Sequence, residues 1–409
     1  MMRFQEFISE QKNTHMTHIE DKVLYGGVNG TREAIMALRS LRDMLGGVHD
    51  GRVSVKWDGA PAVFAGTDPR DGRFFVAKKG IFNKSPKVYK TNADIDADTS
   101  GDLNAKLKLA LKHLATIGIK GVIQGDFLFD SSDVQTQKIK GQSYVTFHPN
   151  TILYAVPANT EMAEQIRQAK MGIVWHTTYT GNSFETMRAS YGVDVKKLRK
   201  SRDVFMQDAM LRDMTNMTMS KTDTDEVNAL LSEAGKLFNQ ISGTTLRQLE
   251  GNQTLAQTIE TYNNTFVRKG EVIKNTRSHV AGLIRYIKTK YQKEIDKRTT
   301  EKGKAAQQAK LNEILAFFSN DNKASLQKMF DLQKCIVLAK LKLINILNRL
   351  SNVRTFLKTS KGFRTTDQEG YVAIDKLGGD AVKIVDRLEF SYANFSPDIL
   401  KGWDKPGRK

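Results

Sequence analysis

The sequence predicts an α+β fold in which a mixed core is interrupted by a large helical insertion. Three observations predict it. Short runs with apolar residues at alternate positions, separated by Gly, Asp and Pro, fill much of the first 200 residues and return in the last 45. From about Arg202 to Lys361 the apolar period changes to three and four residues. Most of the positive charge lies inside that second region. The division that follows is an N-terminal helix and first part of the core over 1–200, a basic helical domain over 201–362, and the rest of the core over 363–409.

The elements are justified in order. Residues 17–47 read as a helix, with Ile35, Leu38, Leu41 and Leu45 on one stripe and Gly46-Gly47 as its stop. VSVKW, APAVFAG and RFFVAKKG then read as antiparallel strands, two of them separated by the turn Thr67 to Gly72. Leu103, Leu107, Leu111 and Leu114 predict a helix over 102–116, and GVIQGDFLFD (121–130) a buried strand. TILYAVP (151–157) predicts another strand. Asn159 is the expected cap of a helix over TEMAEQIRQAK, followed by a strand over MGIVWHTTYTG (171–181). EVNALLSEAGKLFNQI and LQKMFDLQKCIVLAKLKLINILNRL carry the helical region. EGYVAIDKLGGDAVKIVDRLEF reads as a hairpin around Gly378-Gly379-Asp380.

Composition narrows the function classes. The chain has 409 residues, 40% of them hydrophobic, enough for at least one full core. A single cysteine cannot form an intrachain disulfide or anchor a structural zinc site, and Cys335, among apolar neighbours, is expected in the core. The N-terminal residues have no apolar run, and the strongest apolar stretch, near Cys335 to Leu338, is interrupted by Lys340 and Lys342. The expectation is a soluble cytoplasmic protein with no membrane partner.

The net charge of +18 points to a polyanion. Between Arg268 and Lys361 there are 22 Lys and Arg against seven Asp and Glu, an excess of 15 that nearly accounts for the whole imbalance. Helices with one apolar face and one cationic face suit phosphate contacts, and Lys288, Lys290, Lys293 and Lys297 are candidate nucleic-acid contacts.

The sharpest local feature is Lys56-Trp57-Asp58-Gly59, directly after a β-type run. Four further segments accompany it in order: FFVAKKGIF (74–82), GVIQGDFLFD with Asp126, EGYVAID with Glu369-Gly370, and AVKIVDR with Lys383. KWDGAPA resembles motif I of the covalent nucleotidyltransferases, the superfamily of DNA ligases, RNA ligases and mRNA capping enzymes. The other four segments resemble that family's later motifs, with Asp126 where the family usually has Glu and Val385 where its last motif has a second lysine. The resemblance covers about residues 50–180 and 365–390, closest to phage-type RNA ligases, and the chain is also similar to proteins of large tailed bacteriophages, which would place it in the host cytoplasm.

The resemblance implies an ATP-grasp-like antiparallel-sheet core and a covalent lysyl-AMP intermediate, with ATP and Mg²⁺ as cofactors. Lys56 would be the nucleophile. A lysine reacts only without its proton, a form that burial or neighbouring cations favour, and Lys383 and Lys79 would be those cations. Glu369 would act in catalysis and hold the metal, while Asp58, Gly59, Asp126, Gly370 and Arg387 would contact the nucleotide, Asp126 through a ribose hydroxyl. Asp386 or Arg387 would make up for Val385, or the steps after adenylylation would be impaired.

Only 22 residues follow Arg387, too few for the OB barrel of DNA ligases and capping enzymes, so an RNA ligase joining 5′-phosphate and 3′-hydroxyl ends is expected ahead of a DNA ligase. Two other readings stay open: a non-catalytic nucleic-acid-binding or virion protein with a ligase-like fold, and a transferase of AMP to another acceptor. His148 and His176 do not cluster in the sequence and are expected to be structural.

Overall fold

The computed structural model describes residues 18–47, 52–211, 219–349, 353–374 and 381–402. It is an α+β fold. The chain opens with α1 (Lys22–Tyr25) and α2 (Gly27–Leu45), then β1 (Arg52–Lys56), β2 (Ala62–Thr67) and β3 (Phe74–Ala77). Next come α3 (Asn92–Asp98), α4 (Gly101–Leu114), β4 (Val122–Asp130), β5 (Gln135–Ile139), β6 (Gln142–Phe147) and β7 (Ile152–Pro157). α5 (Glu161–Gln168), β8 (Met171–Thr180), β9 (Arg188–Tyr191), β10 (Val204–Asp208) and β11 (Met210–Leu211) complete the first half. Six helices follow: α6 (Lys221–Gln240), α7 (Gly243–Glu250), α8 (Gln253–Arg268), α9 (Thr276–Asp296), α10 (Glu301–Ala316) and α11 (Asn320–Asn348). β12 (Arg354–Thr359), β13 (Gly362–Thr365), β14 (Gly370–Ile374), β15 (Ala381–Ile384) and α12 (Arg387–Phe395) end the described chain.

The strands form three sheets, in the orders β11-β1-β14-β15, β10-β8-β4-β2-β3 with β9 on β8, and β13-β12-β7-β6-β5. The early strands therefore do not all pair with one another, as the sequence suggested. β2 and β3 form an antiparallel pair, but β1 joins a different sheet, between β11 and β14. Alternation marks a run as a strand without naming its partner, and the loop after Lys56 carries the chain from one sheet to the next. β14 and β15 pair antiparallel as expected of a hairpin, while the Gly378 to Asp380 turn lies outside the described residues.

The helical segment is narrower than 201–362. β10 and β11 precede it, with β10 lying parallel to β8, and β12 and β13 follow it, with β12 pairing to β7. These runs are four to six residues or shorter, too brief to show a period against the strong helix formers beside them. The cap of α5 also moves by one position: Thr160, not Asn159, accepts from the backbone N–H of Ala163 at 3.2 Å.

The largest core cluster is helical. Ile35, Leu38 and Leu41 of α2 pack with Leu231 of α6, Ile259 of α8, Leu283 of α9 and Leu343 of α11, and the same cluster reaches Val53, Tyr371 and Ile384 of the first sheet. The N-terminal helix thus belongs with the helical layer rather than with the first half of the β core. Cys335 is half-buried against this cluster. No helix among the described residues is long and apolar enough to cross a membrane.

One lysine of the basic segment faces inward. Lys340, 1% exposed, donates to both carboxylate oxygens of Glu20 at 2.9 Å. Burial, the largest single influence, would raise the Glu20 carboxyl, but the charge of Lys340, followed by those of His18 and Arg387, together outweigh it and hold the group at about 2. The carboxylate's contribution is therefore present above its ordinary range and fades as pH falls toward about 2. Lys340→Met should leave the buried Glu20 carboxylate with only the longer Arg387 contact and cost about 3 kcal/mol in denaturant unfolding, whereas Glu20→Leu combined with Lys340→Met should recover most of that loss. Equal stabilities of the wild type and the single variant would show that the pair does not anchor the layer.

Candidate active site

The site begins with the register of one strand pair. β1 and β14 run antiparallel with Lys56 opposite Gly370, so Lys56 and Glu369 meet at the same end of the sheet although 313 positions separate them. The Lys56 ammonium donates to Glu369 Oε1. Lys56 is about one-third exposed, while Glu369 is buried. Oε2 of Glu369 is buried without a hydrogen-bond partner among the described residues.

Burial pushes the Glu369 carboxyl up to about 7; the Lys56 charge opposes the shift and the Asp58 charge adds to it. β15 supplies the second cation. Lys383 lies opposite Val372, two residues along β14 from Gly370 and so on the same face of the sheet. Burial, and next the Lys56 charge, lower its pKa, and its Nζ stands 5.7 Å from the ring centre of Phe390.

Both motif glycines are required by close approach. A Cβ at Gly370 would come within 2.4 Å of Val385 Cγ2, and one at Gly59 within 2.6 Å of Asp126 Cβ. The first contact is with Val385, which is fully buried and packs against Gly370. The second sets Asp126 against the loop that follows Lys56. Tyr154 links the same groups, because burial, and then the charges of Asp58, Glu369 and Asp126, drive its phenol well above the usual range. Lys56, Asp58, Gly59, Asp126, Glu369, Gly370 and Lys383 are thus brought together.

Both carboxylate oxygens of Asp58 accept from the protein itself. Asn150 Nδ2 donates to Oδ1 at 2.6 Å, and the backbone N–H groups of Thr151 and Ile152 donate to Oδ2 at 2.6 and 2.8 Å. Its own N–H donates to the Tyr154 hydroxyl at 2.6 Å, and the Trp57 and Tyr154 rings lie 4.8 Å apart. The expected cofactor ligand is an anchor that fixes the Lys56 loop to the start of β7. Sequence reading missed Asn150, Thr151 and Tyr154; an Asn-Thr pair entering an apolar strand is their only local signal.

Three other expected residues also differ. Arg387 is held by carboxylates, with Asp21 at 2.9 Å, Glu260 at 3.4 Å and Glu20 at 3.8 Å, so its guanidinium ties the helical layer to the site rather than contacting a nucleotide. Asp386 caps α12, accepting from the N–H groups of Leu388 and Glu389 at 3.0 and 3.1 Å. Neither fills the place of the missing lysine. Lys79 is exposed just beyond β3, with no ion pair to Glu369 or Asp126 among the described residues, and its neighbour Lys78 pairs with Asp98 at 2.9 Å.

The far side of Glu369 is acidic. A small cleft of about 20 Å³ is lined by Asp58, Asp367, Asp386 and Glu389 together with Glu369 itself. No group of three or more His, Cys, Asp or Glu side chains among the described residues is arranged to hold a metal ion. Glu369 Oε2 is the available donor, which fits a hard cation shared with substrate phosphates. Lys288, Lys290, Lys293 and Lys297 are all exposed on α9 and its end, with Lys297 paired to Glu294 at 2.7 Å, while Val280, Leu283 and Ile287 point into the core.

A family model described as a family of unknown function (DUF6267) matches residues 13–398. The chain belongs to the DUF6267 family. No curated protein and no solved structure matches it. The arrangement of Lys56, Glu369 and Lys383 is accordingly the direct guide to what this DUF6267 protein does.

The anchoring role of Asp58 is open to test by stability. Asp58→Ala strands two buried backbone donors and should lower unfolding free energy by about 2 kcal/mol or more, measured by urea titration in the absence of nucleotide. A variant as stable as the wild type would return Asp58 to the list of nucleotide contacts.

Proposed function

We propose that this chain is an ATP-dependent polynucleotide ligase, with RNA favoured over DNA, that works through AMP carried on Lys56. The observation that supports this reading is the meeting of Lys56, Glu369 and Lys383 on adjacent strands across the whole helical insertion. A lysine held by a carboxylate that burial has raised to about 7, with a second lysine beside it, has the parts for nucleophilic attack on a phosphate.

The first step is balanced as follows. The Lys56 nitrogen gives its proton to Glu369 and attacks the α-phosphorus of ATP; a P–N bond forms, the bond to the bridging oxygen breaks, and pyrophosphate leaves. Lys383 offsets charge developing on the phosphoryl oxygens. Magnesium, when bound, would supply further neutralisation at Glu369 Oε2. In the second step a 5′-phosphate takes the AMP from Lys56. In the third a 3′-hydroxyl attacks that phosphate, releases AMP and leaves a phosphodiester.

An acid-labile adduct should form on Lys56 with α-labelled ATP and Mg²⁺ and be absent from Lys56→Ala. Its rate should rise with pH, because Glu369 accepts a proton only as the carboxylate. Equal labelling of Lys56→Ala would overturn the reading, and a flat profile would remove Glu369 as the acceptor.

The exposed lysines of α9 suit the nucleic-acid partner. Replacing Lys288, Lys290, Lys293 and Lys297 with Glu should weaken RNA binding and end joining together while leaving the Lys56 adduct intact. Wild-type affinity should fall by about 10³ or more between 50 and 200 mM salt if six or more phosphates are engaged. Unchanged binding across the salt series would make this face a solvated surface only.

A further inference from the structure

β8 carries an irregularity beside the site. Gln124 of β4 lies opposite Thr177 and the next residue, Gly125, opposite Trp175, so His176 is the extra residue of a β-bulge. A bulge re-aims a side chain that the regular ladder would direct elsewhere. Here it brings His176 Nε2 to within 3.7 Å of Asp126 Oδ2, with both side chains about a quarter exposed. The ring orientation is fixed from its other edge, where Nδ1 lies 2.7 Å from Thr177 Oγ1. The backbone is held as well, since Gly192 N–H donates to the His176 carbonyl at 2.7 Å.

A gap of 3.7 Å is too long for a good hydrogen bond between the two groups and leaves both able to serve a third. Asp126 can only accept, as a carboxylate. In the tautomer whose Nδ1 accepts from the Thr177 hydroxyl, Nε2 carries the ring proton and donates. An acceptor and a donor side by side match neighbouring hydroxyls, one donating to Asp126 and the other accepting from His176. Asp126 also packs against Gly59, three residues beyond the Lys56 nucleophile, where the sugar joined to the reacting phosphate would lie.

We propose that His176 and Asp126 together recognise the vicinal hydroxyls of the nucleotide's ribose, making His176 a specificity-determining residue of this site. The inference rests on the adenylylation reading above and deepens it. The cis-diol of a ribonucleotide satisfies both groups, whereas a deoxynucleotide leaves one of them without its partner, which is the physical basis for strong discrimination.

The test is adenylylation of the full chain without nucleic acid, using ATP, 2′-deoxy-ATP and 3′-deoxy-ATP. The wild type should prefer ATP over each deoxynucleotide by about tenfold or more in kcat/KM. His176→Ala should lower kcat/KM for ATP about tenfold, chiefly through KM, while one of the two deoxynucleotides, the one lacking the hydroxyl that His176 meets, is used as before. His176→Gln, which can place an N–H at similar reach, should recover part of the preference. If His176→Ala and His176→Gln lower all three nucleotides by one common factor, His176 only supports the fold and the inference is overturned. If the wild type takes label from none of the three, the adenylylation reading fails and this one with it.

Discussion

The antiparallel pairing of β1 with β14 is the constraint on which the site depends. It closes the chain across the entire helical insertion and sets Lys56 opposite Gly370. A slip of one residue would turn Lys56 or Lys383 to the other face of the sheet and separate them, because side chains alternate along a strand. Close packing protects the register: Val385 occupies the space above Gly370, so no residue with a side chain fits at that point. Backbone geometry and side-chain chemistry are therefore specified by the same few residues.

The helical insertion is joined to this sheet through buried charge as well as apolar contact. Glu20 binds Lys340 of α11, and Arg387, just after β15, gathers the adjacent Glu20 and Asp21 and the distant Glu260. Tyr25 adds a hydrogen bond to Glu260. Each charge in such a cluster is costly to bury alone and tolerable only with its partners, so the cluster admits one relative placement of α1, α8, α11 and the end of β15. His18 extends this connection by bridging to Lys383 through the backbone.

The site divides its polar residues between holding and acting. Asp58 and Asp386 have their acceptors filled by the protein, the first locking a loop and the second starting a helix. Among the described residues Glu369 has one oxygen on Lys56 and the other unpartnered, and Asp126 lies beside a histidine that is about a quarter exposed. Groups with spare hydrogen-bonding capacity beside a cationic pair are those able to respond to a ligand.

Local chemistry made part of this legible in the sequence. Alternation located β2, β4, β7 and β8, three- and four-residue spacing located α2, α4 and the long helices, and the charge count located the exposed lysines of α9. The order of KWDG, Glu369-Gly370 and Lys383 marked residues that do meet. Tertiary structure alone decided that β1 leaves the neighbouring strands for β14, that β10 to β13 flank the helices, and that Lys340 points inward. It also decided which partners Asp58 and Arg387 meet, and that a bulge sets His176 beside Asp126. The physical reason is range: periodicity records whether a residue meets water or protein, whereas the partner of a strand, a charge or a bulge comes from segments far away in the chain.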